Sequence, residues 1–250
     1  MAKQKGVFPM VGTIGGVNFY YLNGKPVARA AGGGFNGKAI KTKKSMQRVR
    51  ENGSEFGHCS KVNKAFRLAL RPFYNTKRFT FFHSRLMGLF TGLKDLDTVN
   101  IRGKRCVANG VGTEEGKRLL VDFAYTPDCT PKMVLPFSFA MDWGTYSLHI
   151  TQMAMRSVRF ITGATHIELR FGILDFDFES LAYKLHMSDS VFLTPSYAGS
   201  DVTMVPNSLP TVLGTDMAVL GVRFHQEIDG KRYLLNADDG VGIWVVGFGV

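Results

Sequence analysis

Three carboxylates alternate with two phenylalanines in the run Asp175-Phe176-Asp177-Phe178-Glu179. On a strand, successive side chains point to opposite faces, so the three acids would share one face and the rings the other. Such a row could hold Ca²⁺ or Mg²⁺, or place two carboxylates for acid–base work. It also describes a half-buried strand with its charges in water, and that is the reading preferred at this point. The six histidines (His58, His83, His149, His166, His186, His225) form no His-x-x-x-His pair, and the cysteines Cys59, Cys106 and Cys129 are far apart. Zinc needs closely spaced, convergent ligands, so a structural zinc site is not expected. Cys59 follows His58, but helix neighbours point apart, and Cys59 falls on an apolar face as a core residue would. Gly12-Thr13-Ile14-Gly15-Gly16 lacks the Lys-Ser/Thr ending of a P-loop and the surrounding βαβ unit of a dinucleotide fingerprint. No Gly-x-Ser-x-Gly elbow is present. The expectation is therefore a non-enzymatic chain with no cofactor, and with Asp175, Asp177 and Glu179 as weak metal candidates only.

The stronger chemical signal is cationic. Lys61, Lys64, Arg67 and Arg71 recur at a helical spacing, and Lys43, Lys44, Arg48 and Arg50 form a second cluster upstream. Lys77, Arg78, Arg85, Arg102, Lys104 and Arg105 follow. Beside Phe73, Tyr74 and Phe79, such residues can grip phosphates and stack bases. They can equally face acidic residues of a protein partner, or only water. No helix-turn-helix, zinc-finger, RNP or KH pattern supports base-specific reading. The net charge is +11, and it is uneven: residues 1–105 hold 21 basic and 4 acidic residues, residues 106–250 hold 10 and 16. A chain so polarised can meet a polyanion or the acidic half of another copy.

The elements that must position these residues are legible in outline. Ser54 to Pro72 reads as an amphipathic helix with Ser54 as its cap and Pro72 as its stop. Phe56, Cys59, Val62, Phe66, Ala69 and Leu70 would lie on its buried side, and the cations on the other. A short basic helix over 42–52, ended by Gly53, should precede it, and an aromatic helix over 76–92 should follow. Asn23-Gly24 between strand-like runs marks a hairpin, as does Asp229-Gly230. Gly32-Gly33-Gly34 and Gly37 read as a flexible joint. Beyond Lys117, strands are expected at 119–125, 133–141, 146–154, 157–162, 166–174, 180–186, 190–193, 217–228, 231–235 and 242–248. Gly240 to Val250 is apolar on both faces, as a strand between two layers would be.

The predicted fold is α+β: a basic hairpin-plus-helices module over 1–105, then an antiparallel β-sandwich over 106–250, jelly-roll-like or immunoglobulin-like. No apolar run approaches the length of a membrane span, and Pro9 and the glycines after it break what a signal peptide would need. With an odd number of cysteines this points to a cytoplasmic protein without membrane partners.

The segments MAKQKG (1–6), GTIGG (12–16), RVRENGSEFG (48–57) and RGKR (102–105) stand in one order, and the chain closes on Leu220-Gly221-Val222, Phe224, Gln226, Gly230, Tyr233 and Leu235. In these the chain resembles a family of uncharacterised proteins common in Bacteroidota. The resemblance implies a bacterial protein of this length and no activity, cofactor or residue role. Where that family has a more acidic helix start, this chain reads Lys-Thr-Lys-Lys-Ser at 41–45. The expected function is homomeric self-assembly into a filament, tube or shell through complementary basic and acidic halves. The alternative is nucleic-acid binding, without sequence specificity, by the basic helices.

Overall fold

The computed structural model describes residues 2–4, 8–32, 36–74, 77–211 and 214–249. The chain divides into two compact units, 1–50 and 51–250. The residue pair 105/106 lies inside the second unit, and part of the expected glycine joint, 33–35, lies outside the described residues.

Unit 1 is a small antiparallel sheet. β1 (Ala2–Lys3), β2 (Gly12–Ile14), β3 (Val17–Leu22) and β4 (Lys25–Ala30) pair in the order β1-β4-β3-β2. The Asn23-Gly24 hairpin joins β3 to β4, with φ of 50° and 73° at its two turn residues. Both values are positive, as the turn type that matches strand twist requires. Helix α1 (Gly37–Thr42) follows, its first turn capped by the Asn36 side chain, which accepts from the N–H groups of Lys38 and Ala39. A 3₁₀ turn at Lys44–Met46 leads into α2 (Gln47–Ala69).

Helix α2 corrects the expected boundaries. It runs through Gly53 and Ser54 instead of breaking there. A helical glycine costs only about 1 kcal/mol, and the buried contacts downstream exceed that. Pro72 does not stop it either: α2 ends at Ala69, and Pro72 sits in the first turn of α3 (Arg71–Tyr74), where a missing N–H costs nothing. Cys59, Val62, Phe66, Ala69 and Leu70 are buried as expected, but Phe56 is 62% exposed. The buried stripe passes through Glu55, one position earlier, because Glu55 has partners to meet.

The rest of the helical region is α4 (Phe82–Asp95), α5 (Val107–Val111), α6 (Glu114–Asp122) and α7 (Pro131–Val134). The strand expected at 119–125 is instead the end of α6 and a loop. Thr113 caps α6 through the Gly116 N–H, and Glu114 and Glu115 sit in its first turn, where acids favour a helix. The strand expected at 157–162 is absent, and that at 133–141 shrinks to β5 (Ser138–Asp142).

The remaining strands are β6 (Ser147–Thr151), β7 (His166–Phe176), β8 (Tyr183–Met187), β9 (Val191–Leu193), β10 (Val202–Met204), β11 (Thr215–Ile228), β12 (Lys231–Leu234) and β13 (Val241–Phe248). One sheet has the order β10-β6-β5. The other is built on β11 and β7, with β12 and β13 sharing the free edge of β11, and β8 and β9 sharing that of β7. It curls as a half-barrel, helped by a bulge at Ala218/Val219. Asp229-Gly230 turns β11 into β12, with φ of 51° and 74°.

Alternation sorts the core. Ile167, Leu169, Phe171 and Ile173 of β7, with Ala218, Leu220, Val222 and Phe224 of β11, share one apolar cluster with Leu148, Ile150, Val202 and Met204 of the three-stranded sheet. The opposite face gives Leu174, Phe176, Met217, Val219, Ile243 and Val245 to a second cluster with Phe66, Phe73, Phe90, Leu93 and Tyr125 from the helical region. The half-barrel is therefore a middle layer. Strand β13 is buried within it, and Thr126 closes its outer edge by accepting the Ile243 N–H at 2.9 Å. Among the described residues, no helix is long and apolar enough to cross a membrane.

Candidate functional site

The basic stripe is present on the outside of α2 and α3. Lys61, Lys64 and Arg71 are exposed, while Arg67 is half-buried and donates from Nε to Asn63 Oδ1 at 2.8 Å. Lys43 and Lys44 are exposed before α2, and Arg48 is exposed in its first turn. Arg50 is a brace: its Nη1 donates to the carbonyls of Ile40 and Lys43. Most of the later cations are consumed inside unit 2. Arg102 meets Glu51 and Asn52, Lys77 meets Asp238 and Asn236, and Arg85 donates to the carbonyls of Ala124 and Tyr125.

Lys94 and Arg105 converge on Glu55, which is 4% exposed. Arg105 bonds both its oxygens at 2.9 and 2.8 Å, the Gly103 N–H bonds one at 2.7 Å, and Lys94 Nζ the other at 3.0 Å. The Arg105 hydrogen bonds, against the cost of burial, bring the Glu55 carboxyl down to about 2. Asp97 plays a similar part in the next loop. It accepts from the N–H groups of Val99, Asn100 and Cys106 and from the side-chain amides of Asn100 and Asn109.

The carboxylate row does not form a face. Strand β7 ends at Phe176, because Phe176 and Phe178 both turn into the helix-side core. Asp177 then closes a turn, accepting the Glu179 N–H at 2.8 Å and the Ser180 hydroxyl. Glu179 is exposed. Asp175 is fully buried rather than solvated, which corrects the preferred reading of the row at that residue. It lies directly opposite Asp216 of β11 and accepts the Gly214 N–H at 2.8 Å.

Asp216 takes the Tyr146 hydroxyl at 2.8 Å, and its other oxygen is buried without a hydrogen-bond partner among the described residues. Burial raises the Asp216 carboxyl, the neighbouring Asp175 adds to the rise, and the Tyr146 bond opposes it. His186 is buried too; its Nδ1 meets Ser208 Oγ at 2.7 Å, and burial lowers its pKa. Among the described residues, no group of three or more His, Cys, Asp or Glu side chains is arranged to hold a metal.

A second polar cluster lies on the half-barrel's other face, the one turned to the helices. Glu168 accepts from His225 Nε2 at 2.9 Å, Ser190 Oγ at 2.8 Å and Arg170 Nη1 at 3.1 Å. Arg223 Nη1 stands 3.7 Å away, and Arg223 also donates to the carbonyls of Phe73, at 2.7 Å, and Pro72. Burial works to raise the Glu168 carboxyl, but the His225 and Ser190 hydrogen bonds and the two arginine charges bring it to about 2. This is a clamp that holds α3 on the sheet. An activated serine needs its hydroxyl on the histidine, whereas Ser190 and His225 both bind Glu168.

One open groove lies between α4 and α6, with a volume near 590 Å³. Gly88, Leu89 and Gly92 form one wall, Leu119, Asp122 and Phe123 the other, and Arg85 closes an end. The Arg85 guanidinium lies 5.3 Å from the Phe123 ring centre. No family model, no curated protein and no solved structure matches the chain, so every role assigned to these residues rests on their own geometry. Sequence reasoning passed over this groove. Its one local trace is the pair Gly88 and Gly92, a turn apart in the mainly apolar stretch 86–93.

Proposed function

We propose that this chain is a non-enzymatic structural protein that assembles with copies of itself, with unit 1 as the arm that reaches a neighbour. The observation that carries the reading is that the described residues of unit 1 build no core. Among its described residues Val27 is the single buried one, while Phe8, Val11 and Ile14 are 88%, 70% and 60% exposed. A small sheet needs a covered hydrophobic face to be stable, and this one buries only Val27, with Val17, Phe19 and Tyr20 half-buried and Ile14 in water. Unit 1 also holds ten basic residues and no acidic one, so all 20 acidic residues of the chain lie in unit 2. Unit 2 holds 21 basic residues beside them, so carboxylates on the body of another copy can answer the arm's charge only locally, in a head-to-tail contact. In this reading the paired sheets of unit 2 are a sandwich-like body, jelly-roll-like or immunoglobulin-like in plan, that displays the arm.

Size-exclusion chromatography with light scattering tests the reading on the full chain. A mass several times that of one chain at low salt, with a protein-like 260/280 nm ratio, is the expected result. High salt should shift it towards smaller species, because screening weakens the charged part of the contact. A monomer at all salts and concentrations would remove the proposal.

A second reading, binding of nucleic acid without sequence specificity, is favoured by one observation. Lys61, Lys64 and Arg71 are exposed on one side of the α2–α3 segment, and none has an acidic partner among the described residues. Three phosphate contacts would give a salt slope of about −2 to −3 in log K against log salt. The double substitution Lys61→Glu, Lys64→Glu should abolish co-purification of nucleic acid and leave the circular dichroism spectrum unchanged. A 260/280 nm ratio that stays high in this variant would sink the reading.

A further inference from the structure

We propose that the groove between α4 and α6 receives residues Phe8 to Val11 of a second copy of this chain. The inference rests on the self-assembly reading above and names the surface that the arm would use.

The first argument is the pair of glycines in the groove wall. Neither Gly88 nor Gly92 has a positive φ, and among the described residues a Cβ added to either would meet nothing within 4 Å. Neither backbone conformation nor packing within the chain therefore asks for glycine. Each is a poorer helix former than alanine. Standing four residues apart, they clear one strip of α4 down to its backbone. Glycine at such a strip lets another backbone approach closely.

The second argument is the character of the groove. Leu119 is 38% exposed on its wall beside Phe123. Its volume is near 590 Å³, and it is open to solvent. Arg85 is already committed to the carbonyls of Ala124 and Tyr125. Asp122 is then the charged lining residue without a partner among the described residues. The occupant this calls for is short, apolar, extended and followed or preceded by cations.

Phe8-Pro9-Met10-Val11 answers that description. The segment belongs to no helix or strand, and Phe8 and Val11 leave most of their surface in water. Lys3 and Lys5 precede it in the sequence. Pro9 fixes φ and has no N–H to leave unpaired, so the segment loses little freedom on docking. Gln4 holds it further: its side chain accepts the Met10 N–H at 2.9 Å and donates to the Met10 carbonyl at 3.2 Å. Four extended residues span about 13 Å, and Gly88 to Gly92 rises about 6 Å, so the segment can lie over both glycines.

The test uses the full chain with a benzoylphenylalanine photo-crosslinker at position 8, in an equal mixture of ¹⁵N-labelled and unlabelled protein. After irradiation at a concentration where the mass is multimeric, mixed-isotope crosslinks should join position 8 to residues 85–92 or 119–124. Mixed-isotope crosslinks that land elsewhere would overturn the groove and leave self-assembly standing. Same-isotope crosslinks alone would assign the groove to the chain's own arm, which also overturns the proposal. A chain that is monomeric throughout would remove the underlying reading as well. Independently, Gly88→Leu and Leu119→Asp should each weaken assembly at least tenfold with an unchanged circular dichroism spectrum. Assembly as tight as the parent's in both variants would show that the groove is not used.

Discussion

Replacing Glu55 by alanine should destabilise unit 2 by about 3–5 kcal/mol, the usual cost of removing one partner from a buried ion pair. The loss falls on Lys94 more than on Arg105. The Lys94 side chain is 7% exposed and would keep its charge with Asp95 alone as partner, whereas Arg105 is 21% exposed and can turn towards water. The Gly103 N–H loses its acceptor too, at a glycine with φ of 91° that packs against Glu51. Adding Lys94→Met to Glu55→Leu should recover a large part of the loss, because an apolar pair of similar size avoids the cost of burying charge. Urea unfolding of the three proteins at pH 7 measures this. A double variant no more stable than the single would show that Lys94 is not the group left stranded.

The same carboxylate sets a pH dependence with a defined sign. Its folded pKa of about 2 lies below the ordinary value of 4.5, so its contribution is present above pH 4.5 and is lost as pH falls through 2. That difference corresponds to about 3 kcal/mol. Glu168, also at about 2, and Asp97, lowered by hydrogen bonds from Asn100 and Cys106 that outweigh its burial, act in the same direction. Acid unfolding should therefore take up more than one proton below pH 4.5, and Glu55→Ala should remove about one of them.

What could be read from the chain itself was what local chemistry decides. Asn23-Gly24 and Asp229-Gly230 needed only their own backbone preferences to make hairpins, and the alternating or continuous apolar runs of β7, β11 and β13 carried their own period. The failures share a different cause. Glu55, next to the expected cap Ser54, carries no local sign of its burial, because its partners Lys94 and Arg105 lie 39 and 50 residues away. Asp175 looked like the first of three solvated acids until β11 placed Asp216 opposite it. The basic excess of the first 105 residues looked like one surface, yet Lys94, Arg102 and Arg105 spend their charge on Glu51, Glu55 and Asp95. Only the cations with no such partner, Lys61, Lys64 and Arg71 among them, remain as a surface feature. A hairpin as short as that at Asn23-Gly24 is too small to be stable alone, but which of its side chains stay exposed depends on what the strands pack against and not on what they contain.

Gly110→Val should cost about 4 kcal/mol or more, beyond the usual 1–3 kcal/mol of core overpacking. A Cβ at Gly110 would stand 1.8 Å from the Leu93 carbonyl oxygen, and one at Gly116 would stand 2.0 Å from the Gly110 oxygen. Both obstacles are backbone, which cannot rotate aside. These two glycines let α4, α5 and α6 touch main chain to main chain, and Thr113 ties the contact by donating to the Gly110 carbonyl at 2.7 Å. For a unit of some 200 residues the thermal midpoint should fall by roughly 8–16 °C. Gly88→Ala should do the reverse, raising stability by about 0.5–1 kcal/mol, since its new methyl group meets no neighbour and improves helix propensity. Gly110 and Gly116 set how close α6 stands to α4, and so how wide the groove is; Gly88 and Gly92 keep that width empty. If Gly110→Val unfolded at the parent's temperature, α5 could not be wedged between its neighbours as described, and the groove would have no fixed width. If Gly88→Ala were destabilising in the monomer, the glycine would be serving the fold, and the case for a docking strip on α4 would lose its first support.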